Sequence, residues 1–180
     1  NINRIKGFVY CGNAGRLQRI PLLIKAIRKY LDEGGKLPFV FAGGGVFKDD
    51  IQQLANDYDS VTYKGVLSAK DASKLLHQYN FGLMPIEDEV TNYAFPSKSS
   101  SYVFSGCKVI AICSEETSVA NWVRNNNLGY VVEPNIKSLA NLFHQLEETH
   151  LSKHVVDSKF FEELTPNYHA HSLQSLILQL

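Results

Sequence analysis

The chain has 180 residues, of which 44% are hydrophobic, and its 18 basic side chains balance its 18 acidic ones. A chain of this length buries one sizeable core and is too short for two full α/β domains. Because there is no basic surplus, nucleic acid and anionic lipid are not expected as partners, and any anion site has to be local. No apolar run reaches the roughly 20 residues of a spanning helix and no signal peptide is evident, so we expect a cytoplasmic protein.

Six β-rich runs alternate with amphipathic helical patterns, which is typical of βα units around a parallel sheet. Between these runs apolar residues recur at helical spacing, as Leu23 and Ile27 do. We therefore predict one doubly wound, Rossmann-like parallel sheet flanked by helices. Residues 1–6 are expected to form a linker, and residues 151–180 to add C-terminal helices near 158–164 and 173–180. The predicted strands are 7–12, 38–43, 61–65, 81–86, 108–112 and 130–133.

Local signals mark several helix ends. Ser68 followed by Asp71 resembles a capping box, and Asn135 is suited to cap the last helix before residue 150. Gly106 is placed to end a short helix before the fifth strand. These signals agree with the hydrophobic periodicity and support the predicted order of elements.

The three cysteines favour an intracellular, reducing environment. Cys11, Cys107 and Cys113 are odd in number and lie in or beside apolar, strand-like runs. None has a CxxC partner or a neighbouring histidine, so we interpret all three as structural thiols.

In an open parallel sheet, ligands bind outside the carboxyl ends of the strands, so the loops after the strands are the candidate sites. The first of these loops contains Gly12, Asn13 and Gly15, and it leads into a helix start flanked by Arg16 and Arg19. Glycines let the backbone approach a ligand, and free N–H groups at a helix start favour anions. The same Gly-x-x-Gly spacing is also found in plain tight connections.

The second and third loops are candidates for close contact with a ligand. Gly44 is the centre of three consecutive glycines, which remove side chains where something comes close, although a flexible linker has the same composition. Gly65, Val66 and Leu67 follow the third strand and offer backbone groups to a planar base. Core packing explains the third loop equally well.

The fourth loop is long, from residue 85 to 96, and long loops in compact domains are often functional. Pro96, Ser97 and Lys98 start a helix at its end, which predicts that the serine hydroxyl, helix N–H groups and lysine converge on a diphosphate. We interpret the acidic run of Glu87 to Glu89 as a solvated loop rather than a metal site.

Several catalytic arrangements are disfavoured by position. No histidine follows a predicted strand, which argues against a histidine-based triad or metal centre. Asp57 and Asp59 precede the third strand, at the opposite edge of the sheet from the expected ligand. The chain also lacks P-loop and dinucleotide fingerprints. The histidines are His77, His144, His150, His154, His169 and His171.

The order of these loops resembles the C-terminal domain of retaining GT-B glycosyltransferases, above all bacterial enzymes that build surface polysaccharides. The segments that carry the resemblance are GNAGRLQ, FAGGG, YKGVL, LMPI, FPSKSSSYVFSGCKVIA and LGYVV, over about residues 6–148. The resemblance implies a domain that binds a nucleotide-diphosphate sugar, with UDP expected as the nucleotide. It implies no separate cofactor and no bound metal.

The resemblance also implies partners and site residues. An N-terminal domain, expected before Asn1, would supply the acceptor site, and a glycan or polyprenyl-linked acceptor would bring the full enzyme to the inner membrane surface. Catalytic residues are not assigned. By analogy with the family, residues near the diphosphate, base or sugar are Gly12, Asn13, Gly15, Gln18, Gly65, Val66, Leu67, Asn92, Phe95, Pro96, Ser97 and Lys98.

Four positions differ from the family pattern. At two of them, Asn13 and Gln18 in the first loop, family members carry an arginine and a lysine. Many members hold the donor with two glutamates eight positions apart, where this chain has Tyr93 and Ser101. Ser101 or Ser100 is expected to donate a neutral hydrogen bond to the ribose, and Arg16, Arg19 and Lys98 are expected to supply positive charge instead. The alternative hypotheses are a non-catalytic binding module with a decayed donor site and an unrelated nucleotide-binding α/β enzyme.

Overall fold

The computed structural model describes residues 4–93 and 96–150 together with Phe160, and it contains one sheet of six parallel strands flanked by helices. The predicted alternation of strands and helices is confirmed. Short 3-10 helices cover Arg16–Gln18 and Asp88–Asn92. The strands are β1 (Ile5–Cys11), β2 (Phe39–Ala42), β3 (Val61–Tyr63), β4 (Tyr79–Pro85), β5 (Lys108–Ile112) and β6 (Gly129–Val132). The helices are α1 (Ile20–Asp32), α2 (Lys48–Asp57), α3 (Ala69–Gln78), α4 (Lys98–Phe104), α5 (Ser118–Asn125) and α6 (Ile136–Glu148).

The strand order is β3-β2-β1-β4-β5-β6, so the winding reverses between β1 and β4. Phe8 pairs in register with Phe39 on one side and with Phe81 on the other. In a sheet wound in two directions, the loops after the two central strands diverge and leave a crevice at the carboxyl edge. The fold therefore places its most accessible site beside Gly12 and the loop after β4.

Both faces of the sheet are covered by apolar side chains. Helices α1, α2 and α6 pack on one face through residues such as Ile27, Leu54 and Phe143. Helices α3, α4 and α5 cover the other face, where Tyr102 and Val119 are fully buried. Burial on both faces explains why the strands are continuous apolar runs rather than alternating ones.

Three predicted strand boundaries are wrong by two residues, and one of them is the end of β3, which is Tyr63 rather than residue 65. Strand β1 begins at Ile5, so residues 5 and 6 belong to the sheet rather than to a linker. Strand β4 begins at Tyr79, which the helical spacing had placed in the preceding helix. The tyrosine continues the apolar spacing of α3, but backbone pairing with Ile5 takes it into the sheet.

The predicted caps are confirmed. The Ser68 hydroxyl oxygen accepts a hydrogen bond from the Asp71 N–H over 3.1 Å, and the Asn135 side chain accepts one from Ser138 over 2.8 Å. Gly106 follows α4 with a φ of +75°, a conformation that favours glycine.

The predicted C-terminal helices lie outside the described residues, except for Phe160. This residue is helical and buried, and its ring centroid lies 5.8 Å from that of Trp122 on α5. Within the described part of the chain, no helix is long and apolar enough to cross a membrane.

Candidate functional site

A cleft of about 720 Å³ opens at the point where the winding reverses, between α3 and α4. The ends of β1 and of the loop after β4 meet there, as expected for an open parallel sheet. Six predicted site residues line it: Gly12, Asn13, Gln18, Ser97, Lys98 and Ser101. Cys11, Ala69, Ala72, Ser73, Leu76, His77, Ser100, Tyr102, Phe104 and Ser105 complete the lining.

Lys98 lies directly against Gly12. A Cβ atom on Gly12 would stand 2.9 Å from Lys98 Cε, and the φ of Gly12 is +145°. The backbone conformation favours glycine, and a larger residue here would push the end of the Lys98 side chain away. The end of β1 and the first residue of α4 thus approach each other closely, which brings a cation to the sheet edge.

Tyr10 holds the Lys98 ammonium group. Lys98 Nζ donates a hydrogen bond to the Tyr10 hydroxyl over 3.2 Å and lies 4.8 Å from the centre of the tyrosine ring. The hydroxyl in turn donates to the Asn13 carbonyl over 2.6 Å. Burial lowers the pKa of Lys98 to about 8, against a smaller opposing electrostatic effect of Cys11, and burial raises the pKa of Tyr10. The cation is therefore partly desolvated and held by neutral groups.

Three backbone N–H groups of the first loop are bonded within the protein. The N–H of Gly12 donates to the Ala42 carbonyl, and that of Ala14 donates to the Gly44 carbonyl. The Gly15 N–H donates to Gln18 Oε1 over 3.0 Å. These donors are used within the protein, so polar side chains of the loop, rather than these backbone groups, face the cleft.

The glycines of the second loop serve contact with the first loop. A Cβ on Gly43 would lie 1.9 Å from the Gly12 carbonyl oxygen, and one on Gly45 would lie 2.5 Å from the Ala14 carbonyl oxygen. A Cβ on Gly44 would lie 3.5 Å from Val66 Cγ2, which is an ordinary van der Waals distance. The close neighbour of Gly43 and Gly45 is thus protein backbone, and contact of Gly44 with a ligand stays a prediction.

Arg19 does not supply charge to the cleft as predicted. Its Nε donates to the Ile86 carbonyl over 2.7 Å, and its Nη2 pairs with Glu87 and Asp88, both at 3.1 Å. Asp88 also accepts hydrogen bonds from Ser114. The acidic run is thus partly structural rather than only a solvated loop, because it fastens the loop after β4 to the first loop.

Several other predicted residues lie at the same sheet edge but outside the cleft lining. The Gly65 carbonyl accepts a hydrogen bond from Gly43, and Val66 is exposed, whereas Leu67 packs partly into the core. Arg16 and Asn92 are exposed on the two short 3-10 helices. Pro96 lines a smaller neighbouring cavity of about 110 Å³, and Phe95 lies outside the described residues.

Tyr102 is a site residue that the sequence analysis missed. Its buried hydroxyl donates to the Leu83 carbonyl over 2.9 Å and accepts from the Cys11 N–H over 3.2 Å, joining β1 to β4 beneath the cleft. Its ring packs on Gly82, where a Cβ would approach to 2.6 Å. A glycine within an apolar strand was the available signal for this close contact.

The α3 wall of the cleft was also missed. Ser73 and His77 are one turn apart on this helix, and both line the cleft. His77 Nδ1 lies 2.8 Å from the Ser73 carbonyl, which only accepts, so this nitrogen carries the proton. Cys11 is half-buried at the cleft floor, whereas Cys107 and Cys113 are buried as expected. Among the described residues, no group of three or more His, Cys, Asp or Glu side chains is arranged to hold a metal ion.

Comparison with known proteins identifies the family. Residues 31–171 match the model of the family described as "Glucosyltransferase 3-like, C-terminal domain", which is more than half of the chain. The chain belongs to this family. As a glucosyltransferase 3-like domain, it is 26% identical to "Probable glycosyltransferase WbjE" of Pseudomonas aeruginosa over 158 residues, 84% of the chain and 39% of that protein. The chain thus spans about two-fifths of the length of this relative.

Solved structures share the fold of the glucosyltransferase 3-like domain. A TarM variant from S. aureus, in complex with UDP among other ligands, has a TM-score of 0.60 and 19% identity, and the match covers 83% of this chain and 31% of that one. The C-terminal domain of the group 1 glycosyl transferase LpcC from Francisella tularensis has a TM-score of 0.60 and 16% identity, over 81% of this chain and 78% of that one. The predicted GT-B, Rossmann-like fold is thereby confirmed.

Proposed function

We propose that this chain is the donor-binding domain of a retaining glycosyltransferase that transfers a hexosyl or N-acetylhexosaminyl group from a UDP-sugar. The observation that carries this proposal is the Lys98 ammonium, held against Gly12 in the cleft where the sheet reverses its winding. Open α/β sheets bind nucleotides in the crevice at their carboxyl edge where the winding reverses. A partly buried cation with neutral neighbours is suited to a diphosphate.

The contribution of this domain to catalysis is electrostatic. As the glycosidic bond to the diphosphate breaks, negative charge grows on the departing phosphate oxygens. Lys98 stabilises that charge, and its partial burial strengthens the interaction because little water screens it. Asn13, Gln18 and Ser97 line the same end of the cleft and supply neutral hydrogen bonds. The proposal assigns no metal or other cofactor to this step.

Related proteins support the choice of nucleotide and partners. TarM and MnaA, both from S. aureus, have been solved with UDP, and TarM also with glycan-like ligands. We extend these ligand classes to the present chain as a proposal. A partner domain supplies the acceptor site, the acceptor is a glycan or polyprenyl-linked saccharide of surface polysaccharide synthesis, and the enzyme works in the cytoplasm at the inner face of the membrane.

Calorimetric titration of the chain with UDP tests the proposal. We expect binding that is weakened at least tenfold in Lys98→Ala and unchanged in Lys74→Ala, since Lys74 is exposed on α3 and pairs with Asp71. Absence of binding at millimolar UDP would favour the alternative of a non-catalytic module. Sugar transfer by this chain alone would contradict the assignment of the acceptor site to a partner domain.

A further inference from the structure

The cleft extends away from Lys98 along a groove between two helices. Ser101 lies one turn beyond Lys98 on α4, and Ser73 lies one turn beyond Ala69 on α3, and all four residues line the same cleft. If a diphosphate binds at Lys98, the rest of the nucleotide has this groove available to it. The diphosphate carries the ribose at one end and the transferred sugar at the other, and with the ribose end in this groove the ribose lies nearest to Ser101.

The groove carries hydroxyl groups but no carboxylate. Every acidic side chain among the described residues lies outside the cleft lining. Ser101 is exposed to the cleft, and Ser100 and Ser73 add further hydroxyls along its walls. The described part of the cleft therefore has no carboxylate with which to bind a ribose hydroxyl.

This difference in charge sets how strongly a ribose hydroxyl is recognised. Rossmann-type sites that depend on ribose hold the 2′-hydroxyl with an aspartate or glutamate. A hydrogen bond to a charged acceptor changes affinity by about 13- to 160-fold, whereas one between neutral groups changes it by only about 2- to 13-fold. A site that binds the ribose through serines therefore distinguishes ribose from 2′-deoxyribose only by the smaller of these two factors.

We propose that the cleft recognises the donor ribose without a carboxylate, through the Ser101 hydroxyl, so that it binds 2′-deoxynucleoside diphosphates less than about 13-fold more weakly than ribonucleoside diphosphates. This inference rests on the proposed donor-binding function. It widens the donor class to sugars activated by deoxynucleotides. Ser101 is the residue that sets this tolerance.

Calorimetric titrations of the chain with UDP and with 2′-deoxy-UDP test the inference. The two ligands differ only at the 2′-hydroxyl, so the ratio of their dissociation constants isolates its recognition. We expect 2′-deoxy-UDP to bind less than about 13-fold more weakly than UDP. In Ser101→Glu the ratio is expected to rise above about 13-fold, and in the uncharged control Ser101→Gln it is expected to stay below that value.

The outcomes separate this inference from the proposed function. If neither nucleotide binds at millimolar concentration, the donor site itself is refuted and the inference falls with it. If both bind but UDP is preferred by more than about 13-fold in the unaltered chain, only the inference is overturned. If the ratio is the same in Ser101→Glu and Ser101→Gln, although thermal melting shows both are folded, Ser101 does not contact the ribose and its assigned role is refuted.

Discussion

Lys98 Nζ donates a hydrogen bond to the Tyr10 hydroxyl over 3.2 Å, which joins the start of α4 to the end of β1. The cation thus has a phenol rather than a carboxylate as its partner. An acidic partner would neutralise the ammonium and compete with an incoming phosphate, whereas the phenol leaves its charge available. Because the phenol also holds the Asn13 carbonyl, one tyrosine arranges both the cation and the first loop.

Replacing Lys98 with methionine is expected to separate stability from binding. Because burial lowers the pKa of Lys98 to about 8, the charged form is disfavoured by the fold at neutral pH. Lys98→Met should raise the melting temperature at pH 7 while weakening UDP binding at least tenfold. The difference in melting temperature between the variant and the unaltered chain should shrink as the pH rises from about 8 past the usual lysine pKa. Lys98 of the unaltered chain then loses its charge first in the folded state and finally in the unfolded state as well. A melting temperature that falls at pH 7 would contradict this account.

Binding of UDP should weaken as the pH rises above about 8. The free cleft loses its proton from Lys98 near that pH, whereas a bound diphosphate favours the charged ammonium and raises its pKa. Binding therefore takes up a proton in this range, and affinity should fall by up to about tenfold per pH unit. Calorimetry in buffers of different ionisation enthalpy measures the uptake directly. A similar slope in Lys98→Met would assign the proton to another group.

Gly43→Ala should be strongly destabilising, and Gly44→Ala should be tolerated. At position 43 a Cβ would lie 1.9 Å from the Gly12 carbonyl oxygen, and the φ of +131° is unfavourable for alanine. We expect a loss of more than about 2 kcal/mol in the free energy of unfolding, against less than about 1 kcal/mol for the neighbouring glycine. Urea unfolding of the two variants gives the comparison. Equal losses would mean that contact with the first loop does not matter.

Tyr102→Phe should destabilise the chain without removing any apolar surface. The change deletes a hydroxyl that accepts from the partly buried Cys11 N–H and donates to the buried Leu83 carbonyl, and both groups would lose this partner. A loss of about 1–3 kcal/mol in the free energy of unfolding is expected. Tyr93→Phe is the matched control, because Tyr93 is 91% exposed and its hydroxyl can bond to water. An effect as large in the control would argue against a role for the buried hydroxyl.

Arg19→Met should loosen the loop after β4. The guanidinium bonds to the Ile86 carbonyl and pairs with Glu87 and Asp88, whose side chains are 39% and 35% exposed. Because solvent weakens pairs of this exposure, we expect a loss of only about 1–2 kcal/mol. Amide hydrogen exchange should rise in residues 86–93 and change little elsewhere. Arg16→Met, at an exposed position, serves as the control and should leave exchange in this loop as it is.

The sequence was sufficient for the architecture because each of its signals is local. Apolar runs and helical spacing located six strands and the helices between them, and Ser68 and Asn135 cap the helices that they were expected to cap. The errors fall at element ends such as Ile5 and Tyr79. At those ends, hydrogen bonds between distant strands, rather than local preference, decide where an element begins.

The site was only partly predictable, since its chemistry depends on which distant groups meet. Residue type indicated that Gly12 and Lys98 belong near an anion, and the fold rule placed both at one edge of the sheet. Only the tertiary structure decided that Arg19 forms ion pairs with Glu87 and Asp88, and that Lys98 donates a hydrogen bond to Tyr10. The sequence by itself therefore determined the fold and the edge that carries the site. Which charges face that edge was decided by long-range packing, because a side chain is available to a ligand only when no closer partner satisfies it.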